Sequence, residues 1–265
     1  MSKLEIFCAL GLGVMLGSFC FFGLPSERPV EASTSTESTK AGPVIVELFT
    51  SEGCSSCPPA DALLSELSRT NGANIASLSE HVSYWNYIGW ADPYSSPVFD
   101  NRQYKYVSRL RLRSAYTPQV IVNGIEQTIG NDRSSVSEAI AKALRTPPLQ
   151  LSLSTSFKAP RVLAVTIDTA GIKEKSGEIN LAITEDGITS NVRSGENVGH
   201  VLNHDAVVRT YKSKSITNNE HDLVTIDIEL KPSWNRSKLN LVAFFQQSSS
   251  GKIGYSRIVP ASKWK

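Results

Sequence analysis

VIVELFTSEGCSSCPPADALLSEL, residues 44–67, changes character twice. Val44, Ile45, Val46, Glu47, Leu48 and Phe49 form an apolar run with one charge in it, the pattern of a buried strand. Ala62, Leu63, Leu64 and Leu67 then recur at helical spacing, with Pro58 and Pro59 near the first turn, where a missing N–H costs little. The segment reads strand, loop, helix, and the Cys54-Ser-Ser-Cys57 tetrapeptide sits at the junction.

Moving outward, residues 81–85 look like a second strand, followed by an aromatic loop, YIGWADPYSSP, and a helix over about residues 98–112. In TPQVIVNGIEQTIG, Asn123-Gly124 separates two apolar runs, residues 118–122 and 125–129. Both residues tolerate the positive φ of a tight primed turn, so a β-hairpin is predicted. A helix over residues 134–144 follows, with Val136, Ile140 and Leu144 on one stripe and serines available as caps, and Thr146-Pro147-Pro148 stops it. Beyond that point come seven short alternating segments separated by Gly, Pro, Asn and Asp, which read as a β-sandwich. The expected organisation is an α/β domain over residues 44–146 and an all-β sandwich-like domain over residues 149–262.

The N-terminus is read separately. Residues 6–24 carry no charge, Lys3 precedes them, and Pro25 and a polar stretch follow. Val30, Glu31 and Ala32 offer the small side chains that a signal peptidase inspects, so residues 1–32 read as an export signal or, uncleaved, as a membrane anchor. Residues 33–43, rich in Ser, Thr and Glu, read as a flexible tether. Either reading puts the rest of the chain outside the cytoplasm. Cys8 and Cys20 lie in the signal, which leaves Cys54 and Cys57 as the two thiols facing an oxidising compartment. With 265 residues, 20% of them charged, and a net charge of +2, the chain shows no basic field that would speak for nucleic acid or an anionic membrane surface. Any membrane contact would pass through the N-terminal segment.

The order β, α, β, α, β-hairpin, α, with Cys-x-x-Cys at the first strand-to-helix junction and Thr117-Pro118 ahead of the hairpin, resembles the thioredoxin fold. ELFTSEGCSSCPPAD, HVSYWNYIGWADPYSSP, RSAYTPQVIVNG and GENVGHVLNHDAVVR together are similar to a family of uncharacterised exported thioredoxin-like proteins, a domain of unknown function. The chain departs from that pattern at Ser83 and Asn86, where acidic residues are usual. A thiol at a helix N-terminus faces unpaired backbone amides and the positive end of the helix dipole, which stabilise the thiolate. Cys54 is then the nucleophile, and Cys57, one turn in and more buried, resolves the mixed disulfide. Glu47 resembles the buried acid of thioredoxins once a one-residue insertion is allowed; burial would raise its pKa and suit it to relay a proton. The resemblance also implies a cis Thr117–Pro118 bond opposite the cysteines. His81, Thr117, Trp85 and Trp90, with Tyr84 and Asp92, would wall a substrate peptide, although large aromatics are more often packing.

The expected activity is thiol–disulfide exchange with protein thiols, which needs no cofactor. Two other readings stand beside it. Cys54 and Cys57 could hold a soft metal ion with His81 or His204, but no second ligand pair is apparent in the sequence. His200 and His204 are four apart, yet Gly195, Gly199 and Asn203 argue for a loop, so they read as loop histidines rather than ligands. Alternatively the disulfide is a staple in a binding protein, although closing so short a ring gains little loop entropy.

Overall fold

The structure is a computed structural model and describes residues 40–174, 176–217 and 222–265. The signal or anchor and most of the tether lie outside the described residues. Among those described, no helix is long and apolar enough to cross a membrane.

The first half runs β1 (Val44–Thr50), α1 (Pro58–Asn71), β2 (Ile75–His81), α2 (Pro97–Arg109), β3 (Gln119–Val122), β4 (Glu126–Ile129) and α3 (Arg133–Arg145). The second half adds β5 (Leu149–Gln150), β6 (Leu153–Ala159), β7 (Val162–Asp168), β8 (Ser176–Glu185), β9 (Ile188–Asn191), β10 (Val201–His204), β11 (Val207–Thr217), β12 (Leu223–Glu229), β13 (Leu239–Gln247) and β14 (Ile253–Pro260). Expected and observed elements agree closely for β1, α1, α2, the hairpin and α3. Asn123 and Gly124 take φ of 47° and 75°, as the primed turn requires. The cap of α3 is Asp132 rather than a serine, accepting from Ser135 N at 3.1 Å. The second strand corrects the sequence reading, since it ends at His81 instead of beginning there.

A mixed nine-stranded sheet in the order β4-β3-β1-β2-β11-β8-β13-β14-β5 carries the fold. Strands from both sides of Pro147 and Pro148 lie in it. A three-stranded sheet, β12-β7-β6, packs against β8 and β13 through Leu163, Val165, Ile167, Ile179, Leu181, Ile183 and Leu241. That is the sandwich-like element, and its larger sheet continues into the first half. Residues 41–43, read as tether, are tied down: Ala41 bridges Leu149, and Ser256 Oγ donates to the Pro43 carbonyl at 2.5 Å.

Alternation along β1 sends its side chains into two cores. Val44, Val46 and Leu48 pack with α1 and α3, while Ile45 and Phe49 join Phe99 and Tyr106 of α2 and Ala182, Val242 and Phe244 of the second half. The two sheet halves meet through little backbone pairing, Val207 opposite Ser79 and Ser79 N donating to Ala206 O at 2.8 Å. The apolar core under α2 spans that seam.

Inside this core lies a buried polar knot. Glu47, with no exposed surface, accepts from Arg102 Nε and, at 2.5 Å, from the Tyr106 hydroxyl. The Arg102 guanidinium also reaches Gln246 Oε1 at 3.4 Å and lies 5.0 Å from the Tyr211 ring centre. Glu80 of β2 stands 3.5 Å from Arg102 Nε. Burial and the neighbouring Glu47 charge push Glu80 well above the usual carboxylate range, against Arg102, which favours its protonated form.

Two outcomes follow from the knot. Arg102→Ala strands the Glu47 carboxylate and is expected to cost about 3–5 kcal/mol in denaturant unfolding; a loss below 1 kcal/mol would count against a buried ion pair. With its pKa raised by folding, Glu80 keeps its proton to higher pH in the native state than in the unfolded chain, so its contribution to stability falls as pH rises. Glu80→Gln removes that slope, and the variant should gain stability relative to the parent between about pH 5 and 8. Parallel unfolding curves at both pH values check this.

Candidate functional site

β1 is central in its part of the sheet, so the chain leaves its end at Thr50 with both faces covered and turns at Ser51 into the cysteine loop. Cys54 N donates to Ser51 O at 3.1 Å, Cys57 N to Cys54 O at 3.1 Å, and Cys57 is the N-cap of α1. Cys54 and Cys57 are joined by a disulfide. Ser55 and Ser56 between them are exposed, with Ser56 Oγ 3.4 Å from Cys54 Sγ.

The disulfide itself is covered. Cys54 is 1% exposed and Cys57 0%. The cover comes from the loop between β9 and β10, the GENVGH stretch at residues 195–200. Asn197 Nδ2 donates to the carbonyls of Glu52 at 2.8 Å and Cys54 at 3.0 Å. Ser55 N donates to Glu196 Oε2 at 2.9 Å, which holds that carboxyl below its usual range. Gly195, at φ 78°, rests against Trp90 and Ile88, and Ser194 Oγ donates to Gly89 O at 2.5 Å. The sequence reading missed this cover, because its partners lie more than 100 residues apart.

The aromatic loop forms the adjoining wall. Trp85 Nε1 donates to Thr117 Oγ1 at 2.7 Å and Trp90 Nε1 to Glu52 Oε2 at 2.8 Å, and both rings are half-buried. The Thr117–Pro118 bond is cis. Pro118 approaches the first turn of α1, since a side chain at Gly130 would meet Leu48, Pro118 and Ala60 together. Ser83 and Asn86 serve the loop: Ser83 N and Oγ donate to Asp100 at 2.7 and 2.5 Å, and Asn86 Oδ1 accepts from Asp92 N at 3.1 Å.

Two expected roles change. Glu47 is buried, but it projects from β1 toward α2, the face opposite α1, and both its oxygens are taken by Arg102 and Tyr106; the structure does not place it as a relay to Cys57. His81 is 1% exposed and cannot touch a substrate from where it lies. It belongs to a buried cluster beneath the cysteine loop. His81 Nδ1 is 2.7 Å from Asp92 Oδ2, which also accepts from Glu52 N at 2.8 Å. His204, at the end of β10, places Nε2 3.2 Å from Glu52 Oε1, and its ring centre lies 5.0 Å from that of His81. Burial opposes a charge on His81, but Asp92, Asp61 and Glu52 outweigh it and raise its pKa. Burial likewise opposes the Asp92 charge, and His81 with the backbone donors outweighs it, leaving Asp92 lowered. Among the described residues, no group of three or more His, Cys, Asp or Glu side chains is arranged to hold a metal ion.

The matched pattern of a protein family covers residues 45–246 and spans the cysteine loop, the aromatic loop, the hairpin and the cover. The chain belongs to DUF1223, a family of proteins of unknown function. No curated protein matches the sequence. Among solved structures, a structural-genomics target from Agrobacterium tumefaciens is similar, with 25% identity and a TM-score of 0.65 over 85% of this chain and 97% of that one. HBP35 of Porphyromonas gingivalis has 16% identity and a TM-score of 0.61 over 85% of this chain and 77% of its own, a likeness of fold alone.

Asn197 pins this loop to the backbone of Glu52 and Cys54, next to the buried disulfide. Two hydrogen bonds at about 1 kcal/mol each hold it, so Asn197→Ala should speed reduction by dithiothreitol about ten-fold or more. An unchanged rate, followed by release of free thiols, would mean that the cover does not gate access.

Proposed function

We propose that this DUF1223 member is an extracytoplasmic thiol–disulfide oxidoreductase acting on protein thiols. One observation carries the reading: a disulfide between cysteines three apart at the amide-rich start of α1, set above buried histidines and carboxylates. The first half reads as thioredoxin-like. In support, its strands run β4-β3-β1-β2, β1 and β2 are parallel, α1 and α3 share one face, and α2 takes the other. Residues 1–32 support export.

The chemistry balances without a cofactor. A substrate thiolate attacks Cys54 Sγ, the Cys54–Cys57 bond breaks with its electron pair on Cys57, and a mixed disulfide forms. A second substrate thiolate then releases Cys54, so the substrate is oxidised and the pair reduced; the reverse sequence reduces a substrate. Trp85, Trp90 and the Thr117-Pro118 segment flank the approach and would contact the incoming peptide.

A structural staple is the second reading, favoured by the near-complete burial of both sulfurs. The two separate in cells producing Cys57→Ala. Exchange predicts mixed disulfides between Cys54 and other proteins, together with a reduction potential above about −300 mV. No such adducts and a potential well below that value would establish the staple.

A further inference from the structure

His204 and Asp61 have no part in the scheme above, yet their geometry is specific. Asp61 lies in the first turn of α1, four residues after Cys57, and its amide donates to the Cys57 carbonyl at 3.1 Å. Helical side chains lean toward the N-terminus, so the Asp61 carboxyl lies over the turn that carries Cys57. Its Oδ2 accepts from Thr50 Oγ1 at 3.1 Å and stands 4.0 Å from His204 Nδ1. Its Oδ1 has no hydrogen-bond partner, and neither has His204 Nδ1, although both side chains are more than nine-tenths buried. His204 also lines a cleft of about 250 Å³ beside α1 with Arg69, Thr189, Asn203 and Asp205, to which no residue of the cover contributes.

We infer that Asp61 and His204 pass a proton between Cys57 and this cleft, so that the buried sulfur exchanges its proton without solvent entering through the cover. The inference rests on the redox reading of the site. When substrate thiolate attacks Cys54 and the electron pair leaves on Cys57, the proton held by Asp61 moves to Cys57 Sγ and leaves a carboxylate. His204 gives Asp61 a proton and takes one from water in the cleft. In the reverse direction the Asp61 carboxylate takes the Cys57 proton as that sulfur attacks the mixed disulfide.

The surroundings suit this. Burial pushes the Asp61 carboxyl up, against His204, His81 and the Thr50 hydroxyl, which favours its protonated form. The groups facing Asp61 are Thr50 from β1, His81 from β2, Asp92 from the aromatic loop and His204 from β10. Those facing His204 are Glu52, Asp61, His81 and Tyr94. Arg69, at the far end of α1, is paired with Asp205 at 2.9 Å.

The test uses the reduced full chain and an aromatic disulfide reagent, 5,5′-dithiobis(2-nitrobenzoate). Attack by Cys54 releases one chromophore, and resolution by Cys57 releases the second. Asp61→Asn should slow the second phase roughly a hundred-fold at neutral pH and leave the first unchanged. It should also abolish the step in the second-phase profile between about pH 5 and 9, and Asp61→Glu should restore it. His204→Gln should slow the second phase in the same sense. A second phase in Asp61→Asn within about two-fold of the parent across that range overturns the inference. If Asp61→Asn does not fold, His204→Gln decides by the same criterion. A parent chain that releases no first chromophore sinks the redox reading, and the proton path with it.

Discussion

The charge of Glu47 has one remedy inside this protein, and that remedy joins its two halves. A carboxylate without exposed surface is tolerable only when its oxygens are satisfied, and Arg102 and Tyr106 of α2 satisfy them. The same guanidinium rests against Tyr211 and Phe244, which belong to β11 and β13. Helix α2 is therefore fixed at once to the strand that delivers the cysteines and to the strands that follow residue 148. With so little backbone pairing between β2 and β11, this shared core joins the two halves, and the hydrogen bonds of Ser194, Glu196 and Asn197 tie the GENVGH loop to the cysteine and aromatic loops.

Much of this was legible in the sequence wherever local chemistry decides structure. The apolar run of β1, the prolines opening α1, the Asn123-Gly124 turn and the stripe of α3 each carry their signal within a dozen residues. β2 misled because its α1-facing side chains, Ser77, Ser79 and His81, are polar; Ser77 meets Ser68 of α1 at 2.6 Å. A buried polar face removes the apolar pattern on which strand reading depends. The continuous sheet was not legible at all, since pairing between β2 and β11 joins residues more than a hundred positions apart.

The site follows the same rule. Cys54 and Cys57 announce themselves by spacing, and Asp61 could have been found as the acid one helical turn after Cys57. Glu47 drew attention because a lone charge in an apolar run is conspicuous, and its burial was read rightly while its partner was not. His204 looked like a loop histidine because Gly195, Gly199 and Asn203 precede it; it is instead the last residue of a short strand, buried against Glu52. Nothing local distinguishes those cases, because the partner that defines each lies on another element.

The 143-residue separation between Asn197 and Cys54 also has a meaning in time. A chain that emerges N-terminus first presents both sulfurs bare long before the loop that hides them has been made. The pair is therefore open to oxidation or reduction until the later part of the chain has folded onto it.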